Sequence, residues 1–220
     1  MTSRFTNRTG GVSHGAFASL NLGTHVGDEL DLVLENRRIL SDEVGPIQYM
    51  NQVHGDRIAV IEVVTDEAPT ADALVTGIPG VTLAVMVADC IPLLLTSKES
   101  VAAVHVGRRG LVNEITRNTL QVMREMGASK ISGIVGPSIC GTCYEVSEGI
   151  YNEVIASHPT AQSRTKSGTQ ALDLPAALMQ VLLEEGVEIV DQFECTFEGD
   201  KYFSYRRDGV TGRQVGVISL

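Results

Sequence analysis

The most strongly hydrophobic part of the chain lies between residues 81 and 110. Within it, three short runs at residues 81–87, 91–95 and 101–106 consist mainly of Val, Leu, Ile and Ala. Short apolar runs bounded by turn residues are typical of buried β-strands. Because neighbouring strands lie about 5 Å apart, side chains at the ends of these strands can come into contact.

Apolar residues recur at helical spacing in four other segments. The predicted helices cover residues 29–44, 112–126, 147–157 and 175–186. Asp28 and Asp173 precede the first and the last of them and are predicted to cap their N-termini. The apolar stripe of the first helix is predicted to comprise Leu30, Val33, Leu34 and Leu40, and its polar faces to include Asn36, Arg37 and Arg38.

Short strand-like segments alternate with these helices. A hairpin is predicted from residues 47–53 and 57–64, joined by a turn that contains Gly55. Residues 6–27 and 160–169 are rich in Gly, Ser and Thr and are predicted to be loops. Further strands are predicted at residues 73–76, 131–135, 187–190, 202–205 and 214–218.

The interleaving of helices with strands and hairpins predicts an α+β fold with mixed β-sheets and flanking helices. No linker rich in Ser, Pro or Gly and no run of charge divides the 220 residues. A chain of this length can bury one sizeable core. The prediction is therefore a single compact domain over residues 1–220.

Charge and composition narrow the class of partner. The formal net charge of −10 argues against binding to nucleic acid or to an anionic membrane, which both need a positive surface. No run approaches the ~20 apolar residues that span a bilayer, and the N-terminus lacks the apolar stretch of a secretory signal. A cytoplasmic protein with a small-molecule substrate is expected, and local arginines could hold a phosphate group.

The four cysteines are expected to be reduced in that compartment, and so to bind metal, to catalyse or simply to be buried. Cys140 and Cys143 form a CxxC motif, but the βαβ pattern of a thioredoxin-like redox unit is missing around them. A single CxxC is also only half of a zinc site. Cys195 is expected to lie in the core.

Cys90 and His105 stand at the ends of predicted buried strands, and His54 lies at the predicted turn in NQVHG. One thiolate and two imidazoles can hold a zinc ion with an open fourth position, as catalytic zinc sites usually do. Two other interpretations stay open at this point. Cys90 can be a nucleophile with His105 as its base, or both residues can be inert members of the core.

Several motifs, in a fixed order, cover nearly the whole chain. They are TNRTGGVSHGAFASLNLGTHVGD, ENRRIL, NQVHG, ADALVT, ADCIP, AAVHVGRRG, GPSICGTCYEV and YFSYRRDGVTGRQ. In this order they resemble the YfiH or laccase-domain family, once named multicopper polyphenol oxidases. The chain departs from the family motif HAGWRG at Val106 and Arg108, where the family usually has Ala and Trp. Stacking by that tryptophan is therefore lost, and Arg108 can add positive charge to the pocket.

The resemblance implies a purine nucleoside enzyme that contains one zinc ion. Such an enzyme phosphorolyses adenosine, inosine and methylthioadenosine and also deaminates adenosine, so its partners would be a purine nucleoside and phosphate. Carried over residue by residue, the metal ligands and catalytic residues of the family fall on His54, Cys90 and His105.

Further site residues are implied in the same way. Arg109, Arg37 and Asn21 correspond to family positions that contact phosphate or substrate. Asp72 is assigned to the substrate site. Asp72 and Asp89 are both candidates for orienting a ligand histidine or for carrying a proton, although each could equally cap a turn or strand. In GPSICGTCYEV, only Cys143 corresponds to a family position.

Three alternative functions remain at this stage. Copper oxidation of phenols is disfavoured because multicopper centres are built largely from histidine, and the chain has five histidines without an HxH motif. A metal-free cysteine hydrolase would use Cys90 and His105. A non-enzymatic binding module is least favoured. His14 and His25 are expected in a surface loop, where a role in a pocket stays open, and His158 is expected at a helix end. No feature indicates an oligomeric state.

Overall fold

Two β-sheets packed face to face carry the apolar runs, and helices cover their outer faces. The computed structural model describes residues 2–220. Within that range the strands are β1 (Thr2–Phe5), β2 (Ile47–Gln48), β3 (Ile58–Val60), β4 (Ala73–Thr76), β5 (Thr82–Val87), β6 (Ile91–Thr96), β7 (Val101–Val106), β8 (Ser132–Val135), β9 (Gln162–Arg164), β10 (Gln170–Leu172), β11 (Glu188–Asp191) and β12 (Gln214–Ser219).

Helices occupy the connections between the strands. They are α1 (Leu30–Val44), α2 (Arg108–Val112), α3 (Ile115–Glu125), α4 (Glu148–Ser157), α5 (Leu174–Glu184) and α6 (Tyr205–Asp208), with short 3-10 turns at Gly15–Phe17 and Pro159–Ala161. In the described part of the chain, no helix combines the length and the apolar character needed to cross a membrane.

Both large sheets mix parallel and antiparallel pairs, which confirms the predicted fold class. In the six-stranded sheet, ordered β11-β8-β6-β7-β4-β3, the β11–β8 and β3–β4 pairs are parallel and the others antiparallel. In the four-stranded sheet, ordered β1-β12-β5-β2, the β2–β5 pair is parallel. Strands β9 and β10 form a separate antiparallel pair.

Three apolar clusters fill the layers. Leu83 of β5 and Leu94 of β6 meet in the core between the two sheets. Ala84 faces the other way and packs with Leu40 of α1. Strands β6 and β7 likewise alternate between the inner core and the core shared with α3 and α5. Because both faces of each sheet are covered, the central strands read as continuous apolar runs.

The predicted stripe of the first helix is only partly correct. Val33 and Leu40 are buried, but Leu30 and Leu34 are 56% and 49% exposed. Asn36, predicted for a polar face, is fully buried instead. Helical spacing identified the helix, but it could not show that one buried position binds polar backbone.

Asn36 anchors the glycine-rich first segment on α1. Its amide nitrogen donates to Ser13 Oγ (2.9 Å) and to the carbonyls of Ser19 (3.1 Å) and Asn21 (2.9 Å). Its amide oxygen accepts the Val12 N–H at 2.8 Å. A buried amide with all these bonds is fully satisfied, so it holds the loop in one position.

The two predicted caps have different outcomes. Asp173 does cap α5, because its carboxylate accepts the Ala176 N–H at 2.9 Å. Asp28 as the cap of α1 is wrong, since Glu29 occupies that position without a side-chain cap bond. The Asp28 carboxylate instead accepts hydrogen bonds from Ser13 Oγ and Asn21 Nδ2.

The predicted hairpin between residues 47–53 and 57–64 is also wrong. Strand β2 pairs with β5 in the four-stranded sheet, whereas β3 pairs with β4 in the six-stranded sheet. The predicted helix at residues 112–126 is divided, because Glu114 adopts a left-handed backbone (φ 60°) between α2 and α3. Local periodicity reports neither the partner of a strand nor such a break.

Two late segments were also mispredicted. Residues 160–169 are not a plain loop, since β9 lies within them and pairs with β10. Residues 202–205 are not a strand, and Tyr205 begins α6.

The chain passes between the sheets at two places that concern function. Residues 88–90 lead from β5 in one sheet to β6 in the other. The connection from β2 to β3 makes the same crossing and carries His54. His105 lies near the end of β7, opposite Pro92 of β6. The two crossings and this strand end meet at one edge of the sandwich.

Candidate active site

His54, Cys90 and His105 converge at this edge, and their ligand atoms all lie within 4.8 Å of one another. Cys90 Sγ is 3.9 Å from His54 Nε2. The two imidazole rings stand edge to face, with centroids 4.7 Å apart. His105 is buried, Cys90 is half-buried and His54 is exposed, so the cluster opens towards solvent on one side.

Asp72 organises this cluster from below. Its buried carboxylate lies 2.8 Å from His105 Nδ1. It also accepts the backbone N–H groups of Val53 (3.3 Å), His54 (2.9 Å) and Gly55 (2.7 Å). With Nδ1 bonded to the carboxylate, Nε2 of His105 is the ring nitrogen left for a metal or a proton.

Two residues of the site have a positive φ angle, His54 at 58° and Asp89 at 95°. Such backbones cost a non-glycine residue about 1–3 kcal/mol and persist where surrounding bonds impose them. The three N–H bonds to Asp72 hold the His54 turn. Asp89 is held by Thr196 Oγ1 (2.7 Å) and by the Arg206 N–H (2.6 Å), both of which donate to its carboxylate.

The site also favours a thiolate at Cys90. Burial alone would raise the pKa of this thiol, but the charge of His105 and hydrogen bonds from both histidines outweigh it and lower the pKa to about 6. Burial would lower the pKa of His105, but the Cys90 thiolate and the Asp72 carboxylate raise it to about 9. A thiolate at neutral pH can serve as a metal ligand or as a nucleophile.

Gly107 leaves the space that the three side chains occupy. A Cβ at this position would lie 3.1 Å from Cys90 Sγ and 3.2 Å from His54 Cδ2. We therefore expect Gly107→Ala to move both groups by a few tenths of an ångström and to weaken metal binding about tenfold, a change typical of disturbed ligand orientation. Titration with a competing chelator measures this. Gly149→Ala, where an added Cβ meets no atom within 4 Å, is the control.

A cavity of about 400 Å³ opens onto the cluster. Its wall combines aromatic and aliphatic side chains with basic groups, which suits a flat, apolar ring that carries a polar or anionic substituent. Besides His54, Cys90 and His105, the lining residues are His25, Gln52, Met86, Val87, Ala88, Asp89, Tyr144, Tyr205, Arg206 and Arg213.

One corner of this cavity is cationic. Arg213 and His25 line it, and Arg37 lies close enough to act on His25. Burial lowers the pKa of His25, and the charges of Arg213 and Arg37 lower it further. Burial likewise lowers the pKa of Arg213. At neutral pH the positive charge of this corner is therefore that of the arginines, and a partly desolvated guanidinium is suited to an anion such as phosphate.

Asn21 and Arg37, which were also predicted to contact substrate, lie behind the residues that line the cavity. Asn21 is fully buried, and its amide bonds to Asp28, to both backbone groups of Gly23 and to the Arg213 N–H. These bonds use the hydrogen-bonding capacity of the amide, so Asn21 positions Arg213. Arg37 donates to the Leu22 carbonyl at 2.9 Å.

Arg37 also stacks on Tyr49, with its guanidinium carbon 3.9 Å from the ring centroid. Arg109 is exposed on α2 and is absent from the cavity wall formed by the described residues. Arg108 pairs with Glu153 at 2.6 Å and lies close to Tyr144 of the cavity wall, so its charge lies at the rim of the cavity.

Sequence reasoning missed most of the cavity wall. Gln52, Tyr144, Tyr205 and Arg213 all lie within the motifs that carry the family resemblance, but their residue types alone point to no chemistry. His25, expected in a surface loop with a pocket role left open, does line the cavity. The remaining histidines lie elsewhere, His14 at the first 3-10 turn and His158 at the end of α4, where it bonds to Ser157.

Known proteins are similar to this one over nearly the whole length of the chain. The sequence model of a family described as multi-copper polyphenol oxidoreductase laccase matches residues 2–220. A Corynebacterium glutamicum protein named purine nucleoside phosphorylase is 44% identical, over 98% of this chain and 93% of its own. A Streptomyces coelicolor protein of the same name is 41% identical, over 98% and 94%.

Solved structures show the same fold. A Neisseria meningitidis protein superposes with a TM-score of 0.91 at 38% identity, over 99% of this chain and 93% of that one. YlmD from Geobacillus stearothermophilus superposes with a TM-score of 0.89 at 33% identity, over 99% and 91%.

Proposed function

Because the chain belongs to the multi-copper polyphenol oxidoreductase laccase family, and relatives about 40% identical are named purine nucleoside phosphorylases, we propose that it is a zinc-dependent enzyme of purine nucleosides. It phosphorolyses adenosine, inosine and methylthioadenosine and deaminates adenosine. The observation that carries this proposal is one cavity in which a Cys/His/His cluster faces a cationic corner.

The donor set fits zinc. With Zn–S near 2.3 Å and Zn–N near 2.05 Å, tetrahedral geometry places sulfur and nitrogen about 3.6 Å apart, close to the 3.9 Å between Cys90 and His54. Three protein ligands leave one position for a reactant, and Asp72 orients His105 in the way that carboxylates orient zinc-bound histidines. Zinc here supplies Lewis-acid polarisation of a ligand oxygen.

The other residues of the cavity contact different parts of the substrate. Arg213 holds phosphate at the cationic corner, and the neutral His25 imidazole offers it a hydrogen-bond partner. A phosphate oxygen then attacks C1′ of the ribose as the C1′–N9 bond to the purine breaks, and the proton of the phosphate passes to the departing base. Tyr144 and Tyr205 offer aromatic surface to the purine. The negative charge of the neighbouring phosphate stabilises the positive charge that develops on the ribose. The rest of the catalysis is positioning.

The structure disfavours one alternative function and gives some support to the other. In the described residues, the histidines outside the site belong to no cluster with metal-ligand spacing, so the histidine-rich centres of a multicopper oxidase have no counterpart. The metal-free cysteine hydrolase draws support from the Cys90 thiolate beside the His105 imidazolium.

The test of the proposed function is elemental analysis of the purified protein beside a turnover assay. Adenosine, inosine and methylthioadenosine are each incubated with and without phosphate. The proposal expects zinc, phosphate-dependent release of free base, and phosphate-independent conversion of adenosine to inosine. Several equivalents of copper with oxidation of phenols would replace it with the oxidase.

Arg213→Gln is expected to lower kcat/KM for phosphorolysis about 10–100-fold and to change deamination much less, because phosphate loses a partly desolvated guanidinium. The measurement is the pair of rates on adenosine at varied phosphate concentration. Arg109→Gln is the matched variant, since the family resemblance gives Arg109 the phosphate contact while the structure leaves it exposed on α2. A larger loss with Arg109→Gln would return the phosphate contact to that residue.

A further inference from the structure

A second cluster of metal-ligating side chains lies outside the cavity. The sulfur atoms of Cys140, Cys143 and Cys195 lie within 4.8 Å of one another. Cys140 and Cys143 flank a tight turn in which the Cys143 N–H donates to the Cys140 carbonyl at 3.0 Å. Cys195 comes from a distant segment that bridges to Ser138. The CxxC motif by itself is half of a zinc site, and Cys195 adds a third thiol to it.

One backbone N–H group is directed at a sulfur of this cluster. The Cys140 N–H donates to Cys195 Sγ at 3.4 Å. A donor directed at a sulfur fixes its orientation, which is the role of outer-shell partners in metal sites.

We propose that Cys140, Cys143 and Cys195 bind a second zinc ion, with the Glu198 carboxylate as the fourth ligand. Glu198 Oε1 is 3.8 Å from Cys143 Sγ. Zn–S bonds near 2.3 Å place tetrahedral sulfurs about 3.8 Å apart, so sulfurs that lie within 4.8 Å need to move by no more than about 1 Å. Four protein ligands close the coordination sphere, as in structural zinc sites.

This second site would brace the wall of the cavity. The Ile139 N–H, next to Cys140, donates to the Asp89 carbonyl at 3.0 Å. Thr196 Oγ1, next to Cys195, donates to the Asp89 carboxylate at 2.7 Å. Tyr144, next to Cys143, lines the cavity itself. Each cysteine is therefore next to a residue that holds Asp89 or lines the cavity beside it. Zinc coordination would join the segment of Cys140 and Cys143 to the segment of Cys195.

Zinc stoichiometry tests the proposal on the full chain, purified under reducing conditions. The wild type is expected to hold two equivalents of zinc, and the His54→Ala/His105→Ala variant one. The Cys140→Ser/Cys195→Ser variant is expected to hold one equivalent, at the first site. Absence of zinc from the His54→Ala/His105→Ala variant would overturn the second site. If only the cysteine variant loses zinc, the second site is upheld, but the proposed zinc at His54, Cys90 and His105 is overturned.

Two further measurements keep the test decisive if the cysteine variant does not fold. Cobalt substituted into the His54→Ala/His105→Ala variant is expected to give the visible absorption of a tetrahedral thiolate site. Glu198→Gln, at an exposed position, is expected to weaken zinc binding there about tenfold, and unchanged affinity would overturn the fourth ligand. An intact mass lower by two hydrogens, with no second zinc, would show a disulfide instead and overturn the site.

Discussion

Asp72→Asn is expected to weaken zinc binding about 10–100-fold and to lower the free energy of unfolding by about 1–3 kcal/mol. One carboxylate oxygen accepts from the His54 N–H and lies against His105 Nδ1, and the other accepts from Val53 and Gly55. In asparagine, an NH₂ group replaces one of these two oxygens. That NH₂ group would then face two N–H donors and could accept a hydrogen bond from neither. The His54 turn then loses the bonds that hold its left-handed backbone.

The measurements for Asp72→Asn are competition with a chelator of known zinc affinity and unfolding in urea. Asp56→Asn is the matched control, because Asp56 is exposed in the same turn and is expected to change neither quantity by more than about 0.5 kcal/mol. Equal behaviour of the two variants would show that Asp72 does not orient the ligands.

Under the proposed function, Cys90→Ser is expected to abolish zinc binding at the His54/His105 site and to lower turnover of adenosine by more than about 100-fold. Loss of an outer-shell partner alone costs 10–100-fold in metal affinity or activity, and loss of a direct ligand costs more. A serine hydroxyl stays protonated at neutral pH and so replaces the thiolate poorly. Elemental analysis and the turnover assay measure the two effects together.

Alkylation of Cys90 separates the zinc enzyme from the cysteine hydrolase. A thiolate bound to zinc reacts slowly and is uncovered by chelation, so labelling should accelerate as turnover disappears. A free thiolate paired with His105 should react fast from the start, and activity should survive removal of the metal. Peptide mass spectrometry reads the label at Cys90 separately from the other cysteines. Fast labelling with full activity in chelator would establish the hydrolase.

Most of the architecture followed from patterns within short segments. The apolar runs that became β5, β6 and β7 are continuous because both sheet faces are covered, and that signal does not depend on which strands pair. The capping of α5 by Asp173 depends on one local carboxylate. The motif order alone indicated the family, and with it the set of His54, Cys90 and His105 as one site.

Long-range pairing could not be predicted in the same way. The segments that became β2 and β3 have the alternation and the turn of a hairpin, yet each joins a different sheet. Strand pairing depends on which faces bury most apolar area across the whole domain, and no local window contains that information. The error matters for function, since the crossing between the sheets is what brings His54 to Cys90.

By itself, the sequence determined most element types and the mixed sheets, because these depend on residue type and local spacing, and its motif order grouped His54, Cys90 and His105 through the family resemblance. Only the tertiary structure decided which charges reach the cavity. Arg213 lines it and Arg109 does not, although both are arginines in recognisable motifs. It also decided that Cys195 joins Cys140 and Cys143. Such convergence arises from packing of segments far apart in the chain, which no spacing in the sequence encodes.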